Sequence, residues 1–452
     1  MPKFEKRTII KVSPQTAYDW HARPGAFLRL SPPWERMKLI QADQGLHAGA
    51  ETIFAVRKAG QWVRWVARHS HCEPGRSFTD EQAEGPFAKW KHVHEFSDAE
   101  YGHVALHDTV DWKLPGGPLA MVAHGFARKQ LQRMFAFRHR RTQNDLLRHA
   151  AYADRPRLRI AISGVTGLVG RNLEAFLTTG GHTVVRIVRR RPRPGDCLWD
   201  PANGTIDASA LEGLDGVVHL AGAPVSEPWT PEHKRAILES RVKGTRLLAE
   251  TLARLSKRPE VFVSGSAIGW YGNRYDEVLT EGSLPGEDFL ASVAKQWEAQ
   301  TAPAADTGIR VVHLRTGIVL TPKGGALAKM LPPFRAGAGG PIGGGDQWVS
   351  WISLDDLIGA IHFSLYEASV TGPVNGTSPN PVRQRELARI LGRVLCRPAL
   401  VPLPAFALRR TMGEMGEALV LTGQRVLPYR LEARGFSHLD PDLETTLRHQ
   451  LT

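Results

Sequence analysis

The sequence predicts an α/β protein: a doubly wound parallel sheet preceded by a smaller α+β domain. Three observations carry that prediction. The apolar run Leu158, Ile160, Ile162 leads into SGVTGLVG, from Ser163 to Gly170, and then into a helical segment over residues 171–179. This order reads as a strand, a glycine turn and a helix. From Leu158 onward, strand-like and helix-like stretches alternate, as a parallel sheet with both faces covered requires. The first 150 residues instead show successive strand patterns followed by one long helical pattern. At 452 residues the chain also exceeds what one hydrophobic core usually holds, so two domains are expected, over residues 1–153 and 157–452.

In the first domain, residues 4–12 alternate as a strand, and Ser13 is placed to cap a short helix that Ser31-Pro-Pro-Trp34 ends. Further strands are predicted over 51–56, 62–69, 77–82, 88–96 and 103–112, and a helix over 119–151. His69 and His71, and likewise His92 and His94, are two apart on strands, which directs both members of each pair to one face. No carboxylate or thiolate at a telling spacing completes a ligand set, so no metal is expected. Asp154-Arg-Pro-Arg157 reads as a linker.

The glycine turn assigns each glycine a task. Gly164 lets the chain turn sharply, Gly167 removes a side chain where a pyrophosphate approaches, and Gly170 lets the helix pack on the strand. The helix amino terminus then faces the phosphates. The second strand, residues 182–188, ends in Arg189, Arg190 and Arg191. A free ribose 2'-hydroxyl is usually met by an acidic residue at this strand end, whereas a 2'-phosphate calls for a guanidinium, so NADP(H) is expected over NAD(H). A later strand, VVHLAG from Val217, ends in small residues, where Ala221 and Gly222 let the backbone approach a dinucleotide. A helix follows over 231–255.

Two resemblances join this reading. In the first domain, FTDEQAEGPFAKWKHVHEF from Phe78 and LHDTVDWKLP from Leu106 resemble the START and Bet v1-like (SRPBCC) helix-grip domains. That resemblance implies a binding module with an apolar ligand pocket. From Leu158 to the end, SGVTGLVG, HLAGAPV, ESRVKGTRLL, VFVSGSAIGWYG, WISLDDL, GPVNGTSPNPV and LTGQRVLPYRLEARGF resemble the extended short-chain dehydrogenase/reductases. They look most like the epimerase-like branch labelled nucleoside-diphosphate-sugar epimerase or cell-division-inhibitor-like. The resemblance implies a Rossmann-type sheet with a substrate-side subdomain over about 320–452. It maps Gly164, Thr166, Gly167, Leu168, Val169, Arg189, Leu220, Ala221 and Arg241 near the dinucleotide.

The resemblance also exposes a departure. The superfamily uses a serine or threonine, a tyrosine, and a lysine four residues after it that lowers the tyrosine pKa for proton transfer. Ser266, in VSGSA, takes the serine place, but the residue four before Lys295 is Ala291, and no tyrosine lies between Asp276 and Lys295. Tyr271, in GWYG, is the nearest substitute, or else a packing aromatic. Lys295 reads as a solvated helix residue. The stretch from Pro332 to Asp346 is too glycine-rich for a core element and reads as a loop closing over the reactive end of the cofactor. Arg315 and Arg335 are candidates for an anionic substrate or for structural ion pairs. Asp355 and Asp356 fit helix capping. Two classes of function follow: an NADP(H)-dependent oxidoreductase or epimerase-like enzyme with a small-molecule substrate, or a non-catalytic NADP(H)-binding regulator whose first domain senses a ligand.

Charge and cysteine content bound the setting. The net charge of +13 comes from 58 basic residues spread along the chain rather than gathered in a tail, so nucleic-acid binding is not expected. Cys72, Cys197 and Cys396 are odd in number and widely spaced, which fits a reducing compartment. With no signal-peptide pattern and no membrane-length apolar stretch, a cytoplasmic location is expected.

Overall fold

The computed structural model describes residues 2–43, 45–58, 60–116 and 119–452, the last segment in side-chain detail from residue 124. Two compact units divide it: Met1–Arg157 with Ala175–His182, and Leu158–Glu174 with Thr183–Thr452. The three cysteines are free thiols. No helix among the described residues is long and apolar enough to cross a membrane.

The first unit is a seven-stranded antiparallel sheet against a long helix. In sheet order its strands are Lys3–Ile10, His103–Lys113, Lys89–Ala99, Ser77–Glu84, Gln61–Glu73, Glu51–Lys58 and Met37–Ala42. The long helix, Leu119–Ala150, places Leu131 and Phe135 among Phe4, Trp90, Val110 and Trp112, and Leu146 among Ile10, Trp20, Phe78 and Phe96. Aromatic side chains therefore fill much of the layer between sheet and helix. Ser13 caps the Pro14–Ala22 helix through the Thr16 amide, as its sequence position implies. The edge strand Met37–Ala42 was not expected, because its residues are mostly exposed and carry no alternation.

One strand corrects the histidine reading. A β-bulge between His69 and His71 sets His69 opposite Asp80 but His71 opposite Thr79, so the two histidines do not share a face. The extra residue shifts the pleat by one, and His71 is exposed. His92 and His94 do lie on one face, opposite Asp80 and Asp108 respectively.

The second unit holds an eight-stranded sheet in the order Thr205–Ile206, Cys197–Asp200, Thr183–Val188, Arg159–Ser163, Gly216–His219, Val261–Ala267, Arg310–Thr316 and Gly372–Gly376. All neighbours are parallel except the first pair. The chain leaves Arg159–Ser163 toward one edge and returns to its other side at Gly216–His219. That reversal makes a topological switch point, where open α/β sheets bind ligands at the strand carboxyl ends.

The carboxy-terminal region has its own apolar cluster. Leu320, Leu327, Leu331 and Phe334 pack with Trp351, Leu387, Leu391, Leu443 and Leu447. Pro332 and Pro333 belong to the last turn of the Gly325–Arg335 helix rather than to the glycine loop. Leu327, Leu331 and Phe334 lie on one helical face and anchor that turn in the cluster despite its prolines.

Candidate functional site

The glycine turn lies at the switch point. Gly164 has φ +70°, a left-handed conformation that disfavours any side chain, and a Cβ there would lie 2.8 Å from the Leu220 carbonyl. A Cβ at Gly170 would collide with the Gly164 carbonyl, so this glycine lets the Leu168–Thr179 helix start directly on the turn. At Gly167 such an atom would lie 3.1 Å from the Gly164 oxygen, and Thr166 and Gly167 are exposed. Leu168 and Val169, half-buried, form the first turn, whose free amides and dipole favour an anion.

The turn is tied to the neighbouring strand exit. Ser163 Oγ lies 2.6 Å from His219 Nδ1 and accepts from the amides of Leu220 at 3.1 Å and Ala221 at 3.3 Å. Burial, with a smaller push from Arg241, lowers the His219 pKa to about 4, so the ring is neutral at pH 7. Gly222 lies beside the Arg241 guanidinium, where a Cβ would come within 3.2 Å. Arg241 Nη1 donates to the carbonyls of Ala223 at 3.1 Å and Ile237 at 3.0 Å, and its guanidinium stands 5.0 Å from the Trp297 ring centre. No carboxylate among the described residues pairs with it, and burial lowers its pKa to about 10. Gly164 to Gly170 and Leu220 to Gly222 are thus brought together, with a cation beside them. Arg189 and Arg190 follow the adjacent strand, exposed and without an ion pair among the described residues.

Ser266 and Tyr271 lie in a separate, buried cluster. Ser266 Oγ donates to Glu298 Oε1 at 2.6 Å. Glu298 accepts a two-pronged ion pair from Arg315, with Nε and Nη2 each at 2.9 Å. Arg315 Nη1 reaches the Tyr271 hydroxyl at 3.2 Å, and that hydroxyl donates to Asn375 Oδ1 at 2.6 Å. Tyr271 is fully buried, which raises its pKa against the opposing pull of Arg315. Burial disfavours the Arg315 cation, yet Glu298 holds its pKa above the usual value. Arg315 therefore has the structural ion pair that was one of its two sequence readings. Lys295 is exposed on the Phe289–Ala299 helix.

Arg335 is exposed at the end of its helix, whereas Asp356 and the glycine loop have structural partners. Asp356 accepts the amides of Leu439 at 2.8 Å and Asp440 at 2.9 Å, while Ser353 caps its helix. The glycine loop is packed: Gly340 lies against the Val401 backbone, Gly345 against Arg385, and Gln384 accepts the Ile342 amide at 2.8 Å. Sequence reasoning missed Ser163 as a hydroxyl, His219, Glu298 and Asn375. Ser163, His219 and Asn375 lay inside motifs, read there for their neighbours, and Glu298 lay in none.

A glycine turn on a switch point, with the strand exits sealed by small residues, defines a Rossmann-type nucleotide-binding fold. Residues 160–375 match the model of the NAD dependent epimerase/dehydratase family, and residues 403–450 match a domain of unknown function, DUF1731. The chain is 40% identical over 279 residues to the epimerase family protein Mb2239 of Mycobacterium bovis, covering 61% of this chain and 92% of that protein. It is 34% identical to the human epimerase family protein SDR39U1, covering 64% and 99%. The chain belongs to this epimerase family. Among solved structures, a nucleoside-diphosphate sugar epimerase from Corynebacterium glutamicum matches with TM-score 0.81 and 35% identity, over 99% of this chain and 90% of that one. Human SDR39U1, solved with NADPH, matches with TM-score 0.60 and 32% identity over 64% of this chain and 98% of that one.

Proposed function

We propose that residues 158–452 bind NADP(H) and act as an oxidoreductase or epimerase-like enzyme on a small substrate. The observation that carries this reading is the pair Arg189 and Arg190, exposed at the end of the strand beside the glycine turn, with no ion pair in contact among the described residues. Guanidinium groups there suit a 2'-phosphate. The open surface at Gly167 and the helix start at Leu168 suit the pyrophosphate, and Gly164, Thr166, Val169, Leu220, Ala221 and Gly222 form the adjoining backbone cradle. Arg241 adds positive charge beside Gly222. The NADPH bound to the human relative supports the choice of cofactor. When bound, the cofactor supplies hydride chemistry at a carbon bearing oxygen.

In this reading Ser266 meets the substrate oxygen and Tyr271 is the nearest phenol. A titration in which NADPH binds at least tenfold, about 1.4 kcal/mol, more tightly than NADH supports the cofactor assignment, and Arg189→Asp should narrow that gap. Equal affinities would refute it. Ser266→Ala should lower turnover about 100-fold to 10,000-fold with NADPH affinity unchanged.

A second reading is favoured by one observation: the hydroxyls of Ser266 and Tyr271 already donate to Glu298 and Asn375 inside a buried cluster. A chain so arranged suits a non-catalytic NADP(H)-binding regulator. Failure of any substrate panel to oxidise NADPH, with tight cofactor binding intact, would favour it. For residues 1–153, the helix-grip resemblance supports a ligand-binding module in either case.

A further inference from the structure

We propose that the first domain holds a divalent first-row transition-metal ion, such as zinc, between Asp80, His92 and His94, three side chains that face one another across adjacent strands. Asp80 lies opposite His92 on the sheet, and His94 follows two residues later on the same face. Asp80 Oδ2 is 3.4 Å from His94 Nε2 and 4.0 Å from His92 Nδ1. One atom from each of the three residues lies within 4.8 Å of the others. Two ligands bound at about 2.0–2.1 Å in a tetrahedral site stand about 3.3 Å apart, so one gap already matches and the other closes by a small side-chain rotation.

The opposite ring nitrogens are held as metal-bound histidines require. His92 Nε2 lies 3.1 Å and His94 Nδ1 2.7 Å from the same atom, Asp108 Oδ1. With the ring protons directed to that carboxylate, His92 Nδ1 and His94 Nε2 present lone pairs toward Asp80. This is the carboxylate–histidine–metal arrangement, in which an outer carboxylate fixes the tautomer and raises ligand basicity. Asp108 is itself anchored: His139 Nε2 meets its Oδ2 at 2.7 Å, and His139 Nδ1 meets Thr8 Oγ1 at 2.9 Å. His69 Nδ1 stands 2.5 Å from Asp80 Oδ1, an outer contact for the third ligand.

A second observation points to a cation. His94 is 94% buried, with Nδ1 against Asp108 and Nε2 facing Asp80 Oδ2 at 3.4 Å. A proton on His94 can serve its 3.4 Å gap to Asp80, but no hydrogen bond spans the 4.0 Å from Asp80 to His92. One ion within coordination distance of all three atoms serves both gaps. Two imidazoles and a carboxylate suit zinc, iron or cobalt, and three protein ligands leave at least one position for water or an oxygen ligand. His92 and His94 are buried while the Asp80 side chain remains 21% exposed, so an ion enters past Asp80.

The test uses the full-length, tag-free protein after chelator treatment, titrated with Co²⁺ and followed by visible absorption, then displaced by Zn²⁺. One ion per chain is expected. Asp80→Asn, His92→Gln and His94→Gln should each weaken binding at least about 100-fold, and Asp108→Asn, acting through the histidines, about 10-fold to 100-fold. His71→Gln, on the far side of the bulge, should bind as the wild type does. X-ray absorption of the wild-type zinc form, which needs no variant to fold, should show two imidazoles with oxygen ligands. Sulfur ligation, or wild-type uptake no greater than that of the Asp80→Asn/His94→Gln double variant, would overturn the proposal and leave the cluster a buried charge network.

Discussion

Replacing Glu298 by alanine tests whether the buried cluster holds the strand exits in place. Its carboxylate accepts Ser266 at 2.6 Å and two Arg315 nitrogens at 2.9 Å, and the Arg315 and Glu298 side chains are 3% and 8% exposed. Without Glu298 the guanidinium keeps the Tyr271 hydroxyl at 3.2 Å, the Glu281 carbonyl at 3.5 Å and the Trp270 ring at 3.8 Å, all neutral. Removing one partner of a buried ion pair costs about 3–5 kcal/mol, against about 0–1 kcal/mol for an exposed pair. Glu298→Gln keeps the shape and one carbonyl oxygen, so its cost should lie between these, at about 2 kcal/mol. Lys243→Ala, which removes the exposed Lys243–Glu239 pair of the Pro231–Arg254 helix, is the control and should change stability by less than about 0.5 kcal/mol. Urea unfolding at pH 7 followed by tryptophan fluorescence reads all three, since Trp270 lies 3.8 Å from the Arg315 guanidinium. A loss below about 1 kcal/mol for Glu298→Ala would refute the structural role.

Three further outcomes are expected. The His219 pKa is depressed to about 4, so between pH 6.5 and 4 the unfolded chain binds a proton that the native ring refuses. That contribution, up to about 3 kcal/mol, is present above pH 6.5 and lost as pH falls toward 4; His219→Asn should flatten the slope of stability against pH in that window, and parallel curves would contradict it. Gly170→Ala should weaken NADPH binding at least tenfold, about 1.4 kcal/mol, because the new methyl group meets the Gly164 carbonyl; unchanged affinity by calorimetry would count against the turn as the cradle. Ser266→Ala should lower stability by about 1.5–3 kcal/mol through the lost bond to Glu298, and a variant as stable as the wild type in urea would show that bond to be idle.

The sheet and the glycine turn were legible because their constraints are local. Gly164 needs a positive φ and Gly170 a bare Cα, and each need is met by one residue at a fixed spacing. The two clusters were not legible, because their members come from distant elements. Ser266, Glu298, Arg315 and Asn375 meet from three strands and a helix, and a lone glutamate on a helix carries no spacing signal. In the first domain, the pairing of His92 with Asp80 and of His94 with Asp108 depends on strand register, which hydrophobic alternation fixes only once the neighbours are known. The bulge at His69 shows the same limit from the other side: one inserted residue reverses the face that a period of two assigns.

The Ser163 hydroxyl has a thermodynamic consequence. By accepting the amides of Leu220 and Ala221 while touching His219, it fastens the glycine turn to the next strand exit before any nucleotide arrives. A receptor fixed in this way loses little conformational freedom on binding, so more of the contact energy appears as affinity. The amides of Leu220 and Ala221 should then exchange with solvent slowly in the free protein, and NADPH should add little to their protection. Ser163→Ala would loosen the two walls of the cradle, leaving the Leu220 amide its 3.3 Å bond to the Ser163 carbonyl and the Ala221 amide without the hydroxyl. Its penalty would fall on the entropy of binding, measurable by calorimetry as weaker affinity with little change in enthalpy.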